Sequence, residues 1–402
     1  MLPRLRDTLD FMPSPLEDTP GLLIRDPFQF SDATLIVPPA MIECLGYYDG
    51  QHSALDLRAE LVRMTGQLDA GQIEQDLSEA LSMAGFLDDD AFHQRKAAVE
   101  TAFREASLRL AAHAGSGYPE EAGELRQTLA GYLSGGSERA AGRVTAIAAP
   151  HVSPFGGAEA YRAAYSALSN TDADRTFVIL GTSHYGAPNR FGLTRKPFAT
   201  PMGETIPATE LIDELARSAE EAVLMEDYCH SIEHSIEFQV VFLQHLFGPK
   251  IRVLPVLCGP YLNSIYKGGL PEDDPGTERF LGGLGEIAAR EGEKLLWVLG
   301  VDMAHMGRRY GDRVEAVAGH AEMEEVERRD RSRIARLEAG DAAGFWEQVQ
   351  ENQDDLKWCG SAPLYTFLKA LPEARGTLLR YQQWNIDTAS VVTFAGMRFH
   401  SR

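Results

Sequence analysis

The sequence predicts an α/β fold in which a three-layer α/β/α domain follows a small winged-helix-like α+β domain. From residue 144 onward, short runs rich in valine, isoleucine and leucine alternate with stretches of helical spacing. This is the pattern of buried parallel strands connected by helices. The first 95 residues differ, because they contain one short apolar run followed by two stretches of helical spacing. A chain of 402 residues is long enough for about two to three domains.

Composition excludes several classes of partner. The formal net charge is -21, and an acidic surface repels both nucleic acid and anionic membranes. No run approaches the ~18 apolar residues that span a bilayer, and the N-terminus lacks the apolar core of a secretory signal. We therefore expect a cytoplasmic protein. The four cysteines, Cys44, Cys229, Cys258 and Cys359, form no C-x-x-C pair, so neither a disulfide framework nor a structural zinc site is expected.

Residues 1–95 have the pattern of a winged-helix-like module. A short strand at Leu35–Val37 precedes an Asp49-Gly50 turn, and Ser53 is a candidate N-cap for the first of two helices. The segment ends in G-F-L-D-D-D. This pattern is similar to the PqqD-like family, whose members bind a peptide along a strand edge for a radical-SAM partner. A purely structural appendage is the alternative.

The second helix of this module argues against DNA binding. A recognition helix would be rich in lysine and arginine, whereas Gln72–Ala84 carries three acidic residues and no basic one. Residues 96–140 follow as a charged helix with two flexible breaks, G-S-G-Y-P and L-S-G-G-S. We therefore predict a helical linker over 96–140 and a second domain over 141–402.

The second domain opens with a predicted βαβ unit. Its strands are the apolar runs Val144–Ala149 and Thr176–Leu180, and His151 and His184 follow these strands. Ligand crevices in open α/β sheets lie beyond the carboxyl ends of the strands, so we expect both histidines at one site, from adjacent strands. Each could cap its strand, bind a metal or transfer protons.

A later strand ends in a carboxylate and another imidazole. The apolar run Lys294–Val301 is followed by Asp302 and His305, which should reach the same edge of the sheet. An aspartate–histidine pair supplies general acid–base function or supports a metal. Further strands are predicted at Ile251–Leu257 and from Ser390.

The segment H-S-I-E-H-S-I-E-F-Q from His230 contains H-x-x-E-H, the inverzincin spelling. If the segment is helical, His230, His234 and Glu237 share one face. This arrangement predicts a zinc hydrolase, which we keep as an alternative.

Cys359 lies in W-C-G-S-A-P, immediately before a predicted helix. A thiolate at a helix N-terminus can act as a nucleophile or a soft metal ligand. A buried cysteine without chemistry is the alternative.

Six motifs occur in the order in which a known family carries them. They are A-P-H with a glycine-containing turn, L-G-T-S-H, E-H-S-I-E-F-Q, D-M-A-H-M-G, C-G with a following proline, and S-V-V-T-F-A-G. Together they resemble the Memo family (AmmeMemoRadiSam system protein B) from about residue 145 to about residue 398. That family is related in fold to the LigB-type class III extradiol dioxygenases. The resemblance thus implies a Memo/LigB-like metal-binding domain.

The resemblance also implies roles for the residues at the motif positions. The implied metal ligands, with iron as the expected metal, are His151, His184 and Cys359. The implied catalytic residues in or near the same site are Asp302, His305 and His234. Two imidazoles and one anionic ligand leave positions on Fe²⁺ for substrate and O₂, and a thiolate ligand favours iron or copper and tolerates zinc.

We therefore expect a Memo-like metalloprotein, with a non-haem iron oxidoreductase as the first hypothesis. Its substrate would be a small molecule or a modified peptide, and a radical-SAM enzyme is the expected partner by resemblance. The ligands alone do not establish turnover. A non-catalytic peptide- or ligand-binding module is the second hypothesis, and the zinc hydrolase is the third.

Overall fold

The computed structural model describes residues 1–16, 18–66, 68, 70–135 and 143–401. These residues form two compact units, Met1–Ala106 and Ser107–Arg402. We predicted a linker over 96–140. In the structure, residues 96–106 belong to the first unit, and residues 107–135 belong to the second. The physical reason is burial, because Leu125 and Leu129 are packed in the core of the second unit. The last two residues of the predicted L-S-G-G-S break lie outside the described residues.

The first unit combines a small antiparallel sheet with three helices. Its strands pair in the order β1-β2-β3, and they are β1 (Asp10–Pro13), β2 (Leu22–Arg25) and β3 (Thr34–Val37). A 3-10 helix follows at Pro39–Tyr47. The α-helices are α1 (Ala54–Thr65), α2 (Gly71–Met83) and α3 (Asp90–Glu105). Ser53 caps α1 in a capping box with Asp56, as predicted.

The second unit contains the large sheet and a smaller one. Its strands are β4 (Arg109–Leu110), β5 (Ala146–Ala149), β6 (Thr176–Thr182), β7 (Phe191–Leu193), β8 (Phe198–Thr200), β9 (Gly203–Glu204), β10 (Ile206–Pro207), β11 (Val223–Met225), β12 (Arg252–Cys258), β13 (Leu295–Gly300), β14 (His305–Gly307), β15 (Ala374–Asp387) and β16 (Ser390–Ser401). Strands β4, β8 and β9 form the smaller sheet, and the others form the larger one.

The helices of the second unit are α4 (Ala122–Leu133), α5 (Pro154–Tyr165), α6 (Thr209–Ser218), α7 (Cys229–Ile232), α8 (Glu237–Phe247), α9 (Leu262–Lys267), α10 (Pro275–Glu291), α11 (Glu322–Ala339), α12 (Ala342–Gln350) and α13 (Ser361–Ala370). Short 3-10 turns occur at Asn170–Asp172, Pro271–Asp273, Gly292–Lys294, Arg308–Tyr310 and Glu351–Gln353. Among the described residues, no helix combines the length and apolar character needed to cross a bilayer.

The centre of the large sheet is parallel. Strands β12, β6, β13 and β5 lie side by side in that order, with antiparallel β16 next to β5 and antiparallel β7 next to β12. Strands β5 and β6 are therefore not neighbours, contrary to our expectation, because β13 pairs with both of them. The carboxyl ends of all three strands still share one edge of the sheet.

Helices cover both faces of this sheet, which confirms the predicted three-layer α/β/α architecture. Successive strand residues face opposite sides. Phe177 and Ile179 of β6 belong to the core formed with α4, α5 and α8, whereas Val178 and Leu180 belong to the core formed with α6, α10, α11, α12 and α13. Both faces are buried, so the strands are apolar throughout rather than alternating.

Candidate metal centre

The predicted site residues follow the parallel strands at one edge of the sheet. His151, His184 and Asp302 each stand two residues beyond a strand end, after β5, β6 and β13 respectively. Cys359 stands two residues before α13. His234 lies in the short connection between α7 and α8. The fold therefore delivers side chains from five distant parts of the chain to one place, as an open α/β sheet does at its ligand crevice.

Three imidazoles converge at this edge. The ligand atoms of His151, His184 and His234 all lie within 4.8 Å of one another. The ring of His151 is 4.9 Å from that of His184 and 5.2 Å from that of His234, and the rings of His184 and His234 stack 5.0 Å apart. The side chain of His151 is buried, while those of His184 and His234 are each 27% exposed. Solvent can thus reach the cluster from one side.

One ring nitrogen of each histidine is occupied by an acceptor. His151 Nδ1 lies 2.9 Å from the carbonyl oxygen of Gly300. His184 Nδ1 lies 3.0 Å from a carboxylate oxygen of Glu233, and His234 Nδ1 lies 3.2 Å from the same oxygen. A protonated Nδ1 that donates to such an acceptor leaves Nε2 with its lone pair, the arrangement found in metal-binding histidines.

Glu233 organises two of the three imidazoles and was assigned no role from the sequence. Its buried carboxylate also accepts the backbone N–H groups of His184, His234 and Ser235 at 2.9 to 3.1 Å. Burial alone would raise the pKa of Glu233, but the neighbouring imidazoles hold it well below its ordinary range. In His184 burial opposes the positive charge, yet the carboxylate of Glu233 raises its pKa well above the ordinary value. In the sequence, the position of Glu233 directly before His234 in the E-H-S-I-E motif was the signal that could have indicated this role.

A glycine allows the His234 segment to cross the end of β13. A Cβ atom at Gly300 would lie 2.2 Å from the carbonyl oxygen of Ser235, a distance that no side chain tolerates. Ser235 also donates its hydroxyl to the carbonyl oxygen of Thr182, at the end of β6. The segment is thereby fixed directly over two strand ends.

Cys359 joins the cluster through His151. Its Sγ lies 3.2 Å from His151 Nε2. Burial raises the pKa of the Cys359 thiol, although His184 opposes this shift. Burial, with the neighbouring imidazoles of His184 and His234, lowers the pKa of His151 well below its usual value. The sulfur of Cys359 and Nε2 of His151 are thus in hydrogen-bond contact inside the protein.

Asp302 lies beside the cluster. Its Oδ1 accepts the backbone N–H of His151 at 3.0 Å, and its Oδ2 is 3.5 Å from His151 Nε2. Burial raises the pKa of Asp302 to about 7, against the backbone N–H groups of His151 and Val152, which lower it.

His305 lies near the cluster but outside the group of three imidazoles. Its Nδ1 is 2.9 Å from the carbonyl oxygen of Met303, and its ring packs edge-on against Tyr310 with centroids 4.9 Å apart. Burial, followed by the charge of His184, lowers the pKa of His305 to about 4.

His230 occupies a different environment. Its Nε2 lies 2.9 Å from the carbonyl oxygen of Gly192, and its ring packs edge-on near Phe198. The predicted single helix is wrong, because α7 ends at Ile232 and Glu233 has an extended backbone before α8 begins. His230 and His234 therefore do not share a helix face, and His230 is not in the group of converging imidazoles among the described residues.

His113 reaches the site although no motif in the sequence pointed to it. It lies outside a helix. Its ring is half-buried and packs edge-on against His234 and Phe238, at 5.6 and 5.7 Å. Its Nε2 lies 2.9 Å from the carbonyl oxygen of Ile232.

A cavity of about 310 Å³ adjoins the cluster, with His184 and Cys359 in its wall. Much of the remaining wall is apolar and comes from the segment after β12, including Leu262 and Ile265. Lys357 also lines it, and its amino group is paired with Asp312 at 2.8 Å. The arrangement can admit a small molecule or a side chain next to the sulfur and imidazole groups.

Comparisons with known proteins find similarity over most of the chain. A family model described as Memo-like protein matches residues 109–398. A MEMO1 family protein of Aquifex aeolicus is 26% identical over 387 residues, covering 94% of this chain and 96% of the relative. A MEMO1 family protein of Thermococcus kodakarensis is 30% identical, covering 73% of this chain and 99% of the relative. A memo-1 homolog of Caenorhabditis elegans is 27% identical, covering 66% and 72%.

Proposed function

Because this chain belongs to the Memo family, we propose that it is a metalloprotein whose centre supports non-haem iron redox chemistry on a small molecule or a modified peptide. One observation carries the proposal. Three imidazoles whose Nδ1 atoms already have acceptors converge within 4.8 Å at the ligand edge of the sheet, with a cysteine sulfur 3.2 Å from one of them.

The donor set fits a transition metal. His151, His184 and Cys359 would hold the ion, and His234 is a further donor beside them. Imidazole and thiolate ligands suit iron, copper and zinc, and a bound ferrous ion would supply redox chemistry with positions left for substrate and O₂. Binding would release the proton of the Cys359 thiol, because the thiolate is the ligand form.

The protein's own groups would orient the ligands and move protons. Glu233 fixes the rings of His184 and His234 through their Nδ1 atoms. Asp302 would exchange a proton through Oδ2, and its distance of 3.5 Å from His151 Nε2 supports this role. His305 is the second candidate for proton transfer, with Nδ1 fixed by a carbonyl oxygen and Nε2 remaining for a substrate.

Metal analysis of aerobically and anaerobically purified protein tests the proposal. We expect iron in the wild type and a loss of iron in Cys359→Ser and His184→Ala. His230→Ala is the matched control, because it removes an imidazole from the same segment without touching the cluster. If the two cluster variants bind iron as well as the wild type, the proposed centre is wrong.

The cavity beside His184 and Cys359 favours a second candidate, a module that binds a ligand or peptide without turnover. Titration of candidate peptides against metal-loaded and metal-free protein, with O₂ consumption recorded in parallel, separates the two. Affinity that does not depend on metal, without O₂ consumption, would favour binding alone. A radical-SAM enzyme is the proposed partner, on the resemblance alone.

A further inference from the structure

Asp330 is a buried carboxylate that the proposed chemistry does not use. It lies in α11 and is fully buried. Three neutral donors converge on it: Trp358 Nε1 at 2.7 Å, the Tyr381 hydroxyl at 2.8 Å and the Thr393 hydroxyl at 2.6 Å. Burial raises the pKa of Asp330 to about 6, although these hydrogen bonds lower it. Arg333, a buried cation one turn along α11, also lowers this pKa. The three hydrogen bonds to Asp330 nevertheless come from neutral groups, and a carboxylate is costly to bury, so its placement requires an explanation.

One donor connects Asp330 to the turn that carries Cys359. Trp358 is buried and immediately precedes the cysteine, so its indole hydrogen bond fixes where the turn begins. The turn is also held on its other side, since Gly360 donates its N–H to the carbonyl oxygen of Asp302 at 3.1 Å. A Cβ atom at Gly360 would lie 2.6 Å from that oxygen, so the close approach requires glycine.

A second donor connects Asp330 to the segment that carries Asp302 and His305. The Thr393 hydroxyl accepts the N–H of Ala304 at 2.8 Å while it donates to Asp330. The backbone of Thr393 also exchanges hydrogen bonds with Met303 and Ala304, at 2.8 and 2.9 Å. The segment after β13 is thus fixed to β16 through the residue that binds Asp330.

We propose that Asp330 is a positioning residue of the metal centre, whose carboxylate sets the placement of the Cys359 sulfur relative to the segment from Asp302 to His305. This inference rests on the proposed function, because it assigns Cys359 to the metal. Asp330 itself touches neither the imidazoles nor the sulfur among the contacts described. It acts through Trp358 on one side and Thr393 on the other.

Loading of the full chain with Co²⁺ tests the inference, because absorption from a thiolate–cobalt bond reports the sulfur specifically. Asp330→Asn keeps the size of the side chain but replaces one acceptor oxygen by a donor. We expect its Co²⁺ affinity to fall by about 10-fold or more, as for other residues that orient ligands, and its thiolate–cobalt absorption to weaken even at saturating Co²⁺. Cys359→Ser should lack that absorption.

Asp172→Asn is the matched control, because Asp172 is another buried carboxylate of the same unit and pairs with Arg175 just before β6. Arg175 binds the carbonyl oxygens of Val144 and Leu295 near the starts of β5 and β13, at the edge of the sheet opposite the cluster. It should lose stability without changing the cobalt spectrum. Trp358→Phe removes only the indole donor and should weaken the thiolate–cobalt absorption, so it decides the question if Asp330→Asn does not fold. A wild type without thiolate–cobalt absorption overturns the proposed centre. If the wild type shows thiolate–cobalt absorption and Asp330→Asn or Trp358→Phe shows it to the same extent, only the positioning role is overturned.

Discussion

Within the segment His230–Glu237, Glu233 and His234 take part in the candidate metal centre, whereas His230 and Glu237 at its two ends do not. His234 is one of the converging imidazoles, and Glu233 is the carboxylate that accepts from its Nδ1. His230 binds a backbone carbonyl, and Glu237 binds Arg109. Both glutamates are buried, so burial alone does not distinguish the site from its support.

The partners of the two glutamates explain the difference. Glu237 accepts from the guanidinium of Arg109, the hydroxyl of Tyr118 and the backbone N–H groups of Ala112 and His113. Its charge is balanced by a permanent cation, which makes it structural. The charged partners of Glu233 are imidazoles, which change protonation and can bind a metal. The comparison teaches that the partners of these two glutamates, and not their burial, separate the one beside the imidazoles from the one that is structural.

The largest expected effect is a loss of stability when the buried ion pair of Arg109 with Glu237 is broken. Arg109→Ala leaves Glu237 buried without its cation, and it also removes donors to the carbonyl oxygens of His230 and Glu233. Breaking a buried ion pair in this way costs about 3–5 kcal/mol, and urea unfolding of the metal-free protein measures it. The control is Arg143→Ala, which removes an exposed pair with Glu293 and should change stability little. Equal losses would contradict the structural role.

The next effect concerns the centre itself. Glu233→Gln can no longer accept from both imidazoles with a full negative charge, so we expect iron affinity to fall by about 10–100-fold. Competition with a chelator measures this change. Glu226→Gln is the control, because Glu226 pairs with Lys196 outside the cluster. Unchanged affinity in Glu233→Gln would remove the distinction between the two glutamates.

A smaller effect is expected at His230. His230→Ala leaves the carbonyl oxygen of Gly192 without its partner, so the free energy of unfolding should fall by about 1–2 kcal/mol. The metal content should stay that of the wild type. Metal analysis and urea unfolding of the same sample check both expectations. A loss of metal would restore the zinc hydrolase that uses H-x-x-E-H.

The smallest effect is expected at His113. His113→Phe keeps the aromatic contact with Phe238 but loses the hydrogen bond to Ile232, which costs about 1 kcal/mol or less. Metal content should not change, because His113 packs on His234 without belonging to the converging group. Thermal unfolding and metal analysis test this expectation, and a large loss of metal would make His113 part of the centre.

Several features of the fold and the site could be predicted from local patterns. The apolar runs that became β5, β6, β12 and β13 are visible because both faces of a central parallel strand are buried. His151, His184 and Asp302 could be placed at one edge because the carboxyl ends of parallel strands meet there. The position of Cys359 before a helix also follows from its motif, whereas its contact with His151 joins residues 208 positions apart.

The sequence by itself determined the α/β class, the strand ends that carry the site residues and the family to which the motifs belong. Only the tertiary structure placed β13 between β5 and β6, gave Glu233 and Glu237 different partners, and brought His113 to His234. The physical reason is that periodicity and burial are local properties of the chain. Hydrogen-bond partners depend on long-range packing, as in the contact of His184 with Glu233, 49 residues away.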